Sequence, residues 1–62
     1  MMTPSEIKTE LTENTSQRIS DYFVNLLPEV QNEFVVIAQR EGIDKAKREL
    51  EDDWYSFQGQ TK

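Results

Sequence analysis

VVIAQREGIDKAKREL, residues 35–50, carries helix-forming residues on both sides of one glycine, and whether the helix survives Gly42 decides the architecture. Two features argue for a stop. Glycine takes the left-handed conformation that commonly closes a helix, and Ile43 follows where a Schellman ending places its hydrophobic contact, here with Ile37 or Ala38. Asp44 then caps a new helix whose inward side chains are Ile43, Ala46, Leu50, Trp54 and Phe57. One feature argues against a stop. Lys45, Lys47 and Arg48 open that helix while Glu49, Glu51, Asp52 and Asp53 come later, the reverse of what the helix dipole favours. A continuous helix from Pro28 to Phe57 removes the conflict and sets Glu41 with Lys45, and Asp44 with Arg48, at i,i+4 spacing, at a cost of about 1 kcal/mol for an internal glycine.

Upstream of this stretch, Thr3-Pro4-Ser5-Glu6 has the form of a capping box with proline at the first helical position. The apolar residues that follow, Ile7, Leu11, Ile19, Phe23 and Leu27, drift around a single helix, so Ile7 and Leu11 do not share a face with Phe23. Between them, residues 12–16 are poor helix formers, and Asn14 with Gln17 has the spacing of a second cap. Either a bend or a continuous curved helix satisfies this segment. Ile19, Phe23, Leu26 and Leu27 then make one clean face with Tyr22 at its edge, until Pro28 ends the helix and begins the next. That next helix turns Val30, Phe34, Ile37 and Ala38 inward.

Both readings of Gly42 are all-α. With the stop, the chain is a small three-helix bundle; without it, a helical hairpin that dimerises into a four-helix bundle. The 62 residues form one domain, with residues 3–13 a separate or bent first segment and residues 59–62 a frayed tail after Gly59. A core of this size contributes about 3 to 5 kcal/mol, and the chain has neither cysteine for a disulfide nor histidine for the usual zinc sets. Help from self-association or a partner is therefore expected.

Composition also bounds function. The longest apolar run, residues 34–38, has five residues, far short of the roughly 18 needed to span a bilayer, and the first residues lack the pattern of a secretory signal. A cytoplasmic protein without a membrane role is expected. Without His or Cys, catalysis would rest on carboxylates, Lys, Ser, Thr or Tyr in a pocket that so short a chain rarely encloses. The carboxylate pairs Glu29 with Glu33 and Glu49 with Asp53 read as a solvated face, and there is no glycine-rich phosphate loop. The expectation is a non-enzymatic protein with no cofactor, no metal and no small-molecule substrate.

Twelve acids against seven bases give a net charge of -5, which opposes nucleic acid as a partner. The spacing of Ala38, Gly42 and Ile43 matches a helix-turn-helix joint opened by basic Lys45, Lys47 and Arg48. Arg48 and Glu51, however, stand where that motif wants apolar residues, so DNA binding would require a dimer with its acids turned away. The converse reading is a nucleic-acid mimic: residues 1–39 hold six acids against two bases, with Glu29 and Glu33 prominent among them. The remaining reading, and the one that accounts for most residues, is a protein-protein interaction module: a regulator, inhibitor or accessory subunit of a larger protein, and itself a homodimer. Ile7, Leu11, Val36 and Tyr55 miss the central apolar stripe and are the contacts expected to serve it. On the solvated side, Lys45 with Glu49, Lys47 with Glu51 and Arg48 with Asp52 should pair at i,i+4.

Overall fold

The computed structural model describes residues 2–60, with side chains described through Phe57. These residues form four helices and no strand: α1 (Pro4–Glu13), α2 (Gln17–Val24), α3 (Pro28–Glu41) and α4 (Ile43–Gln60). The fold is all-α, with the chain stopped at Gly42 and broken once more near its start.

Local chemistry accounts for each break. The capping box is complete: the Glu6 amide donates to Thr3 Oγ1 at 3.2 Å and the Thr3 amide donates to Glu6 Oε1 at 2.8 Å. α1 ends at Asn14, and the Thr15 hydroxyl donates to the Leu11 carbonyl at 2.8 Å, satisfying an acceptor of the last turn. The second cap is Ser16 rather than Asn14; its backbone is extended and its Oγ accepts from the Ile19 amide at 3.4 Å. At the end of α2, Gln31 reaches back from α3, its Nε2 donating to the Phe23 carbonyl at 2.9 Å and approaching the Leu26 carbonyl at 3.3 Å. Leu27 takes the extended conformation that a residue before proline prefers, and Pro28 opens α3.

Gly42 serves two helices at once. Its amide donates to the Ala38 carbonyl at 3.0 Å, closing α3, and its carbonyl accepts from the Ala46 amide at 3.3 Å, opening α4. The backbone there has φ 102° and ψ 156°, so the ending is not the left-handed Schellman cap but a fully extended, positive-φ link open in practice only to glycine. Asp44 consequently lies within the first turn of α4 and does not cap it. At the other end α4 runs through Gly59 to Gln60, so Gly59 is not its stop; of the expected tail, Thr61 and Lys62 lie outside the described residues.

Every helix contributes to one core, made of Ile7, Leu11, Ile19, Phe23, Phe34, Val35, Ala38, Ala46 and Leu50. Phe23 and Phe34 meet edge to face, with centroids 6.2 Å apart. Ile7 and Leu11 are wholly buried, which corrects their assignment as partner contacts. Their drift away from Phe23 holds only along an unbroken helix; the break at residues 14–16 resets the phase and lets α1 turn both inward. Val35 joins the core because α3 has α1 and α4 beside it, so its buried arc is wider than one stripe. Leu27, at the turn, is 65% exposed instead of buried.

Candidate interaction groove between α2 and α4

α4 outruns the core. Among the described residues Leu50 is its last fully buried side chain; one turn on, Trp54 is partly buried, and Tyr55 and Phe57 are 63% and 48% exposed. Opposite them α2 presents Tyr22 and Leu26, both partly buried. Between the two helices lies a furrow of about 650 Å³, walled by Leu26 and Tyr22 on one side and Trp54 and Phe57 on the other. A second depression of about 340 Å³ continues it toward the start of α2, between Ile19 and Tyr55. Trp54 and Arg18 border both.

The aromatic walls are held in place by specific contacts. The Tyr22 hydroxyl donates to Asp53 Oδ2 at 2.9 Å, tying α2 to α4, and its ring lies 5.7 Å from that of Phe57. Trp54 and Tyr55 sit edge to face at 4.9 Å. Partial burial, reinforced by the hydrogen bond from the phenol to Asp53 and by that carboxylate's charge, raises the Tyr22 hydroxyl above the usual tyrosine range. A phenol so held is a poor proton donor, whereas rigid amphipathic aromatics make good contact surfaces. Two carboxylates, Asp21 and Glu51, stand among the lining residues with Arg18 as the cation, and Asp53 is held by the Tyr22 hydroxyl. Asp21 is steadied by Gln17, whose Nε2 donates to it at 2.8 Å.

The residues singled out from sequence scatter. Tyr55 lies in the second depression, as an exposed contact residue should. Val36 is 37% exposed but sits on α3, which lines neither part of the groove. Glu29 and Glu33 are exposed on that same helix. Of the basic trio, Lys45 pairs with Glu49 at 3.3 Å as its spacing implies. Lys47 instead crosses to Glu10 of α1 at 3.1 Å, where it also helps lower the Glu10 carboxyl, after the larger effect of the Asn14 side chain. Two of the three cations are therefore already matched within the molecule, while Arg48 is exposed.

Trp54 and Phe57 share the Ile43–Leu50 stripe and were expected to close the core; Phe57 does not, and rests on Tyr22 at the surface. The stripe told which way Trp54 and Phe57 face; no local signal told that α2 would lie beside them and leave a furrow. Among the described residues no helix is long and apolar enough to cross a membrane, and no three carboxylates converge as a metal site would require. Comparison with known proteins finds no matching family model, no matching curated protein and no matching solved structure.

Proposed function

We propose that this protein is a small, non-enzymatic protein-protein interaction module of the cytoplasm, acting as a regulator, inhibitor or accessory subunit of a larger protein through the α2–α4 groove. The observation that carries the reading is that Tyr22, Trp54, Tyr55 and Phe57, four of the chain's six aromatic side chains, line two adjoining depressions, Tyr22 and Trp54 half-buried against the core and Tyr55 and Phe57 exposed. Exposed aromatics collected in a concave site are the usual anchors of a protein interface. The absence of cysteine accords with a reducing compartment.

The partner in this reading is a different protein, not a second copy. Ile7 and Leu11, two of the four residues expected to serve self-association or a partner alike, are used inside the core, and a nine-residue core drawn from all four helices supports a chain that folds without a second copy. A nucleic-acid mimic would instead use Glu29 and Glu33, which the groove does not include. A photo-crosslinking residue placed at Tyr55, and separately at Glu33, discriminates these in the native host. A single adduct of defined mass from position 55 is expected. Adducts only from position 33, or an adduct of twice the chain's own mass from position 55, would overturn the assignment.

A further inference from the structure

Resting on that reading of the groove, we infer that its occupant is a basic amphipathic helix, with apolar side chains set between Leu26 and Trp54 and with lysines or arginines over the carboxylate rim. Three properties of the site converge on this class. Its walls are two helices and the described chain offers no strand edge, so an incoming segment gains nothing from an extended backbone and must satisfy its own hydrogen bonds, as a helix does. The eight residues of α2 make a wall about 12 Å long, which accommodates roughly two turns of helix and two or three anchors at i, i+3 or i+4, and i+7.

Charge selects among such helices. Asp21 and Glu51 oppose Arg18, leaving the lining net negative by one, within a chain whose total is -5. An acidic helix is repelled by both; a basic one is drawn by both, at short range by the carboxylates and at long range by the whole molecule. Tyr55, well exposed in the second depression, adds a second attraction, since its ring accepts a cation that passes over it. Arg18 breaks the uniformity. It stands at the junction of the two depressions and sets the direction of the bound helix by receiving an acid at one place along it.

The chain's one tryptophan lies in the groove, so its emission reports occupancy directly. The experiment titrates the full chain, at low and at moderate salt, with two synthetic peptides of identical apolar pattern. One is LKKLLKLLKKLLKL and the other has glutamate at every lysine. Saturable one-to-one binding of the lysine peptide with a shift of Trp54 emission is expected, weakened by salt and by roughly threefold to fivefold for each of Asp21→Asn and Glu51→Gln. Glu29→Gln with Glu33→Gln, off the groove, should change it less than twofold. Equal weakening by the off-groove pair would mean diffuse attraction and would overturn the inference. Binding of the glutamate peptide instead, lost with Tyr55→Ala, would overturn the basic class while leaving the groove as the interface. If neither peptide moves the emission, the helix class fails, and the crosslink at position 55 still decides whether the groove is used. Emission that shifts with protein concentration alone, together with a doubled mass by light scattering, would assign the groove to a second copy.

Discussion

Replacing Gly42 with alanine tests the joint on which the whole arrangement turns. At φ 102° and ψ 156° the link lies where a side-chain-bearing residue costs about 1 to 3 kcal/mol. A Cβ built there meets nothing within 4 Å, so the cost is backbone strain alone, with no clash to relieve. Alanine returns about 0.4 to 1 kcal/mol by restricting the unfolded chain. Taking the middle of each range, the net loss is about 1.3 kcal/mol, which for a domain of this size lowers the melting temperature by roughly 5 to 10 °C.

The same substitution favours the rival arrangement. Within a helix alanine is better than glycine by about 1 kcal/mol, so Gly42→Ala moves the balance by roughly 2 kcal/mol toward one helix running from α3 into α4. Such a helix would carry Ala46 and Leu50 away from Phe34 and Ala38, open the core and require a second copy to cover it. Circular dichroism melts with light scattering read both effects: a lower melting temperature, and a mass that rises toward the dimer with concentration. D-alanine at position 42, introduced by total synthesis, accepts positive φ and should hold or raise the melting temperature. An L-alanine variant that stays monomeric and melts within about 2 °C of the parent would refute the argument.

Two other predictions follow from burial and from charge. Ile7→Ala removes a wholly buried side chain at about 2 to 5 kcal/mol, comparable to the entire expected stability, and should leave the chain largely unfolded by circular dichroism. Val36→Glu, on the exposed side of α3, should shift the melt by only a few degrees; an Ile7→Ala protein that folds normally would return that residue to the surface. The Thr3 amide bond, first, and the Thr3 hydroxyl hold the Glu6 carboxyl below its ordinary range. A depressed carboxyl contributes stability above its unfolded value and loses it as pH falls through its folded one, so α1 should loosen in acid. Glu6→Gln should lower the melting temperature at neutral pH and converge with the parent near pH 2; parallel curves across that range would remove Glu6 from the acid response.

What could be read from the chain was what single residues enforce locally. Thr3 with Glu6, Pro28 and Gly42 each act on their own backbone within a turn, and each stands where it was expected to act. Phase was harder. Counting 100° per residue from Ile7 to Phe23 assumes one rigid rod, and three residues of break between α1 and α2 reverse the conclusion for Ile7 and Leu11. Pairing failed for a related reason. An i,i+4 rule finds Lys45 with Glu49, but Lys47 meets a partner 37 positions away that no local spacing reveals. The groove was hidden because periodicity tells which way Trp54 and Phe57 face, not how closely a neighbouring helix packs on them.

Folding and binding separate along α4. Among the described residues every fully buried side chain lies at or before Leu50, and the hydrogen bonds that close the turns belong to Thr3, Thr15, Ser16, Gln31 and Gly42. The exposed contact residues Tyr55 and Phe57 lie beyond Leu50, on a part of α4 that the core does not require. A truncated aromatic there loses half-exposed surface, worth far less than a buried side chain. The groove can therefore be altered residue by residue while the fold persists, and a loss of binding at Tyr55 or Phe57 reports on contact, not collapse. Tyr22 is the exception. Its ring faces the furrow while its hydroxyl ties α2 to α4 through Asp53, so a change at Tyr22 should move affinity and stability together.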